Sequence, residues 1–222
     1  VHDQNWEQLG RVRDHATLTS PTPVTKQRGA VHLDKKSVTI GPGRYLIAVQ
    51  AKDLRTGRVQ AYRDTLHAPV FDSTKLAMSS LVLAASIDSA RRGTKYEKNG
   101  LSVVPMPSRA FRRDQEVNVY FEIYNLGEDK FGRTEYQVDY TVRTARDASG
   151  LIGAVGKFLS GSGHDEGVGV SSVIEGLKRS VHQHFSLDTS TLDDGAHVFE
   201  ISVTDRNSGQ TAYRSVPFYI SR

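Results

Sequence analysis

Apolar and polar residues alternate with a period of two through much of the second half of the chain. The clearest stretches are residues 81–87, 117–124, 136–142, 181–187 and 197–204. Alternation of this kind, between turn residues, is typical of β-strands with one buried face. With weaker segments included, residues 75–222 contain about seven or eight predicted strands, enough for one complete sandwich.

Two stretches of the chain, residues 40–63 and 192–214, resemble each other at an offset of 152 residues that slips by one near the end. Asp53 aligns with Asp205, and Gly57 with Gly209. Each copy predicts a turn, a strand, a second turn and a second strand. Asp and Gly at these positions favour a tight hairpin turn, in which the carboxylate binds backbone and glycine is left-handed.

A calcium loop is the alternative for the second copy, because Asp205 and Asn207 carry ligand-type oxygens. The first copy lacks the alternating oxygen ligands, and neither copy has the later Glu of an EF-hand. A hairpin turn therefore explains both copies better. Tyr45 stands where immunoglobulin-like domains place a corner tyrosine that binds backbone, and His197 occupies the same place in the second copy. We expect His197 to bind backbone, in preference to a metal or a catalytic role.

These patterns predict an all-β fold with two tandem immunoglobulin-like β-sandwich units. Residues 1–72 hold only about four predicted strands, too few for a sandwich of about 100 residues. The first unit is therefore expected to be truncated or reduced. Residues 73–222 form the complete unit, interrupted by a glycine-rich insertion at residues 145–169. A weak helical pattern at residues 151–159 lies inside this insertion.

Composition narrows the function classes. The net charge is +4, but the basic residues are scattered without interleaved aromatics, so we expect no nucleic-acid partner. Cysteine is absent, which excludes disulfides, cysteine nucleophiles and cysteine-bound zinc. No apolar run approaches the length of about 18 residues that a membrane span requires, so no membrane insertion is expected.

The candidates for chemistry are weak. His182 and His184 share one face of a predicted strand, but no third metal ligand is identified, and solvated histidines are the preferred interpretation. Glu122 could pair with Asp139 on a neighbouring strand as a catalytic carboxylate pair, or the two could form a surface pair. We predict no catalytic residues, no cofactor and no enzymatic activity.

The strongest binding candidate is aromatic. Tyr120 and Tyr124 share the outward face of one predicted strand with Asn118 and Glu122. Exposed aromatic rings beside polar groups are typical of protein-binding and sugar-binding faces. The alternative is that a neighbouring domain or the glycine-rich insertion covers these rings.

A resemblance to a known family covers about residues 30–222. The order "LAMSSLVLAASI", "NGLSVVPMPSRAF", "EVNVYFEIYNL" and "TEYQVDYTV" resembles the C-terminal β-rich region of bacterial GWxTD-domain proteins. The most specific part is Val119–Leu126. The Gly-Trp-x-Thr-Asp motif is absent, since the only tryptophan is Trp6. The resemblance implies the tail of a longer protein in the periplasm or outside the cell, with no catalytic residues to transfer.

Together these observations predict a non-catalytic structural or protein-interaction module of a larger, exported bacterial protein. Its partner would be another protein or neighbouring domains of the same chain. One alternative is a carbohydrate-binding module that uses Tyr120 and Tyr124 to bind a glycan. Another is an accessory domain of a hydrolase whose catalytic domain lies upstream.

Overall fold

A computed structural model describes residues 1–3, 7–13, 33–144 and 168–222, which fall into two units, Val1–Phe71 and Asp72–Arg222. All regular elements in these ranges are β-strands, so the all-β prediction is confirmed. The glycine-rich insertion and the helix predicted within it lie outside the described residues. The exception is the last two residues of the insertion, Val168 and Gly169, which begin a strand.

The first unit is a β-hairpin. Strands β1 (Gly43–Lys52) and β2 (Val59–Ala68) pair antiparallel, from Gly43 opposite Ala68 to Lys52 opposite Val59. On the other edge of β1, His2 forms a single bridge to Leu46. The described residues of this unit thus contain two strands and isolated bridges, where the sequence predicts about four strands.

The second unit contains two sheets. Its strands are β3 (Ala77–Met78), β4 (Val82–Ser89), β5 (Glu97–Lys98), β6 (Leu101–Pro105), β7 (Ala110–Arg112), β8 (Val117–Tyr124), β9 (Thr134–Thr144), β10 (Val168–Gly176), β11 (Val181–Leu187), β12 (Gly195–Asp205) and β13 (Thr211–Ser221). The six-stranded sheet has the order β11-β8-β4-β6-β5, with β3 beside β8. The five-stranded sheet has the order β10-β9-β12-β13-β7, and only the β13–β7 pair is parallel.

The core lies between these two sheets. Phe121 and Ile123 of β8 and Phe199 and Ile201 of β12 are fully buried in one apolar cluster. Phe185 of β11 contacts aromatic rings of the opposite sheet. Most of the predicted period-two residues therefore face inward, as expected for a sandwich. Ile87 does not: β4 changes register between Ala84 and Ser86, and Ile87 packs in a second apolar cluster with Ala84, Val103 and Tyr120.

The hairpin β12–β13 has the same register as β1–β2. Gly195 lies opposite Ile220, and Thr204 opposite Thr211. The corresponding pairs in the first unit are Gly43 with Ala68 and Lys52 with Val59, so the offset is 152 residues at both ends. The slip of one residue expected from the sequence alignment is wrong, because the register of the two hairpins is the same throughout.

The turns of the two hairpins also match. Asp53 Oδ1 accepts hydrogen bonds from the backbone of Arg55 and Thr56, and Asp205 Oδ1 accepts them from Asn207 and Ser208. Gly57 and Gly209 both have a φ of 71°, which glycine adopts without steric cost. These bonds confirm the hairpin interpretation of both turns.

The corner prediction holds in both copies. The Tyr45 hydroxyl donates to the carbonyl of Gly41 at 2.8 Å. His197 Nε2 lies 2.8 Å from the carbonyl of Asp193, which is also four residues earlier. His197 is buried and its ring stacks on Phe218, with centroids 5.4 Å apart. His197 is thus a structural corner residue, as predicted.

Candidate functional site

The four predicted binding residues lie on one face of β8. Asn118, Tyr120, Glu122 and Tyr124 occupy alternate positions, while Val119, Phe121 and Ile123 between them face the core. Alternate residues of a strand point to opposite faces. The structure therefore places the predicted residues together on the outer face of the six-stranded sheet.

Tyr120, however, is not exposed. It has 0% relative accessibility, so the prediction of an open aromatic ring is wrong at this position. Asn99 donates from Nδ2 to the Tyr120 hydroxyl at 2.7 Å, and Lys98 Nζ lies 5.1 Å from the ring centroid. The His182 ring stacks beside it at 6.1 Å. The hairpin β5–β6 at the far edge of the sheet thus reaches back over β8.

The turn that brings Asn99 to Tyr120 has a clear local cause. Asn99 and Gly100 have φ values of 51° and 83° and join β5 to β6 directly. Positive φ at both positions of a two-residue hairpin turn is the type I′ geometry, which Asn-Gly strongly prefers. The Asn-Gly pair was the signal in the sequence that could have revealed this covering hairpin.

Glu122 is the centre of the outer-face cluster. Its Oε1 accepts from the Tyr120 hydroxyl at 2.9 Å, and Lys98 Nζ lies 3.4 Å from the same oxygen. Its Oε2 accepts from the Tyr124 hydroxyl at 2.5 Å. Each carboxylate oxygen therefore has a donor from within the protein.

At neutral pH, Glu122 is ionised and the hydroxyls of Tyr120 and Tyr124 are neutral. Burial raises the pKa of Glu122, but hydrogen bonds from Tyr124 and Tyr120 and the charge of Lys98 outweigh it, so the pKa lies below its usual value. Burial and the carboxylate beside it raise the pKa of Tyr120 to about 12, and they also raise the pKa of Tyr124. Such a network holds the side chains in place, and neither hydroxyl is activated as a nucleophile.

Asn118 at the end of this face is also paired. Ser186 of β11 donates its hydroxyl to Asn118 Oδ1 at 2.7 Å. On the same strand, His182 lies opposite Glu122 and His184 opposite Tyr120. In the described part of the chain, no group of three or more His, Cys, Asp or Glu side chains could hold a metal. The two histidines, the weak metal candidates, are thus placed on a polar outer surface.

The proposed pairing of Glu122 with Asp139 is wrong. Glu122 is on β8 in the six-stranded sheet, and Asp139 is on β9 in the five-stranded sheet. Both residues alternate with inward-facing residues, so their carboxylates lie on opposite outer surfaces of the sandwich. They form neither a catalytic pair nor a surface pair.

A second carboxylate network on the other sheet was not predicted. Glu200 of β12 is buried; its Oε2 lies 3.1 Å from Arg143 Nε, and its Oε1 accepts from the Tyr213 hydroxyl at 2.9 Å. Burial and this carboxylate raise the pKa of Tyr213 to about 12. Charge in a strand's alternation pattern is usually assigned to solvent, which is why the sequence does not reveal this network.

Arginines gather at one end of the second unit. A shallow depression of about 670 Å³ is lined by Arg112, Arg113, Asp114, Ser190 and Arg222. Arg112 pairs with Asp114, while Arg113 and Arg222 share Asp194. These ion pairs offset the positive charge of the depression.

One face of the hairpin of the first unit carries exposed apolar side chains. Val49 is 55% exposed and Leu66 36% exposed. The residues at the same positions in β12–β13 are Ile201, at 0%, and Phe218, at 3%. Two hairpins with the same register therefore differ in exposure: the second packs against a sheet, whereas Val49 and Leu66 of the first keep solvent-exposed surface.

The family models and the curated proteins compared with this sequence include no match. The resemblance to GWxTD-domain proteins thus stays a prediction. The part of the chain that the structure describes includes no helix that could cross a membrane.

Proposed function

We propose that this chain is a non-catalytic protein-interaction module of a larger, exported bacterial protein. The observation that carries the proposal is the open apolar face of β1–β2, which includes Val49, Tyr62 and Leu66. The exported and bacterial part rests on the resemblance at Val119–Leu126. Tandem immunoglobulin-like units are the finer form of this proposal, and the equal register of the two hairpins supports them.

Burial of this apolar face by a partner would be favourable in free energy. An isolated two-stranded hairpin is marginally stable in water and needs further strands or a packed layer. Full burial of an exposed Val or Leu side chain contributes about 1.5–3 kcal/mol. Val49 and Leu66 are 55% and 36% exposed, so covering each would add roughly half of that or less. A partner that covers this face would therefore gain affinity and stabilise the hairpin together.

The carbohydrate alternative is less well supported. Sugar binding by stacking needs an open ring face, but Tyr120 is fully buried. Tyr124 is half-buried, and its hydroxyl is bonded to Glu122. The accessory-domain alternative has no observation of its own in the described residues.

Site-specific cross-linking in the producing cell tests the proposal. A photo-reactive amino acid replaces Val49 in one variant and Ala48, on the opposite face of β1, in a control. We expect a discrete protein adduct from position 49 and much less from position 48. Equal labelling at both positions would refute the proposal. Glycan binding by the wild type that Tyr124→Ala removes would favour the carbohydrate alternative.

A further inference from the structure

We propose that Asn99 is a site of spontaneous deamidation, and that the reaction releases the hairpin β5–β6 from Tyr120. The reacting groups belong to the chain itself, and the co-reactant is water. This modification is independent of the proposed interaction function, because it concerns the outer face of the second unit and needs no partner.

The chemistry follows from the residue after Asn99. The chain contains five asparagines, of which only Asn99 precedes a glycine. In deamidation, the backbone nitrogen of the next residue attacks the side-chain carbonyl carbon of asparagine. A C–N bond forms, the bond from that carbon to the amide NH2 breaks, and ammonia leaves with the proton of the attacking N–H. Glycine favours this attack because it has no Cβ beside the attacking nitrogen. Water then opens the cyclic imide at either carbonyl and leaves aspartate or isoaspartate.

The turn presents this dipeptide to water. Asn99 and Gly100 are both exposed, and a Cβ placed at Gly100 would meet no atom within 4 Å. The Gly100 N–H donates to Glu97 Oε1 at 3.0 Å. That distance is within the reach of a general base, so the Glu97 carboxylate can take up the proton that leaves. The attacking nitrogen, a base and water are therefore all present at this turn.

Tyr120 controls when the attack occurs. Asn99 Nδ2 donates to the Tyr120 hydroxyl at 2.7 Å, and that hydroxyl donates in turn to Glu122 Oε1 at 2.9 Å. The first bond holds the Asn99 amide against β8, while the Gly100 N–H points at Glu97. The amide must therefore rotate away from Tyr120 before its carbon reaches the Gly100 nitrogen. The free energy of one hydrogen bond corresponds to about a two- to tenfold change in the population that has left Tyr120.

The product weakens the contact that holds the hairpin on β8. A carboxylate replaces the amide donor, and the Tyr120 proton is already donated to Glu122. Two carboxylates then compete for one hydroxyl, which is unfavourable in a partly buried cluster. Isoaspartate also lengthens the turn by one backbone atom and disturbs the pairing of Lys98 with Leu101 across it. The hairpin should therefore separate from Tyr120, which is fully buried in the intact chain.

Incubation of the full 222-residue chain in mildly alkaline buffer, followed by peptide mass spectrometry, tests the reaction. A glutamate-specific protease releases residues 98–116, in which Asn99 is the only asparagine. We expect the mass increase of NH2 replaced by OH at Asn99, and enzymatic isoaspartyl methylation of the same peptide. Asn207, which is also exposed in a turn but precedes serine, is the internal control. Conversion at Asn99 that is absent, or no faster than at Asn207, would overturn the inference.

Two comparisons test the control by Tyr120. Tyr120→Phe should speed conversion at Asn99 about two- to tenfold and leave Asn207 unchanged. A free peptide of residues 98–116, which does not depend on folding of the variant, should convert faster than the same residues in the folded chain. An unchanged rate at Asn99 in the variant, an equal acceleration at Asn207, or a peptide no faster than the folded chain would each overturn this control.

Asn99→Asp imitates one product and tests its consequence. Hydroxyl-radical footprinting should label Tyr120 in this variant and in the deamidated chain, but not in the fresh wild type. Tyr136, which is buried in the core, should stay unlabelled in all three samples. Equal protection of Tyr120 in all three would overturn the release of the hairpin. Labelling of Tyr136 together with Tyr120 would mean unfolding of the whole unit and would overturn it as well.

Discussion

Replacing Asp205 with alanine removes the acceptor that joins two loops of the second unit. Asp205 Oδ2 accepts from the Gly127 backbone at 2.7 Å and from the Ser208 hydroxyl at 2.6 Å. Its Oδ1 accepts from the backbone of Asn207 at 3.0 Å. The side chain is fully buried, so water does not replace these bonds without rearrangement of the loops.

The expected loss of stability follows from these bonds. A hydrogen bond to a charged group contributes about 1.5–3 kcal/mol, and a buried donor left without a partner costs about 1–3 kcal/mol. The contributions are not additive within one network. We therefore expect Asp205→Ala to lower the free energy of unfolding of the second unit by about 3–5 kcal/mol.

Asp53→Ala is the matched control. Asp53 makes the same local bonds, to the backbone of Arg55 and Thr56 and to the Thr56 hydroxyl at 2.6 Å, but it is exposed and lies in the other unit. We expect the unfolding of the second unit to be unchanged in this variant. The stability of the Asp205→Asn variant should lie between those of the wild type and Asp205→Ala. An amide nitrogen in place of Oδ2 would face the N–H of Gly127 and could not accept its hydrogen bond.

Urea unfolding followed by near-ultraviolet circular dichroism measures these effects. With a slope of about 2 kcal/mol per molar urea, a loss of 3–5 kcal/mol lowers the midpoint by about 2 M. A loss below about 1 kcal/mol for Asp205→Ala would refute the reasoning, since it would mean that the bond between the loops contributes little. If Asp53→Ala shifted the midpoint of the second unit as much as Asp205→Ala does, the reasoning would be refuted as well.

Three further predictions use the same measurement. Arg143→Ala should destabilise the second unit by about 3–5 kcal/mol, because it leaves the buried Glu200 without its cation. Adding Glu200→Gln should restore part of the lost stability. If the double variant recovers no stability, that result would argue against the ion pair. The folded-state pKa of Tyr120 is raised to about 12, so its contribution to stability should be full below about pH 10 and fall as the pH rises to 12. Tyr120→Phe should flatten this decline of stability with pH. An unchanged slope of stability against pH in the variant would contradict this account. Gly100→Ala should lower the stability of the second unit by about 1–2 kcal/mol, because the φ of 83° at this position strains any residue with a Cβ. An added Cβ would meet no atom within 4 Å, so the loss would come from the backbone alone. An unchanged stability would contradict the turn assignment.

The sequence predicted which residues form the candidate site, but not which other residues cover them. Alternation placed Asn118, Tyr120, Glu122 and Tyr124 on one face, and the structure agrees. It did not reveal that Asn99 from a hairpin about 20 residues earlier in the chain donates to Tyr120. A strand pattern describes which residues share a face, whereas burial depends on the elements that pack on that face.

What the sequence by itself determined were features set by near neighbours along the chain. These are the long alternating strands of the second unit, the all-β class, the Asp-Gly turns at Asp53 and Asp205, and the corner role of His197. Each depends on hydrogen bonds or alternation within a few residues.

Only the tertiary structure decided which strands share a sheet and which faces are covered. It separated Glu122 from Asp139, buried Glu200 beside Arg143, and left Val49 exposed where Ile201 is buried. The physical reason is that pairing and cover depend on contacts between residues far apart in sequence, and equal local patterns are compatible with several such arrangements.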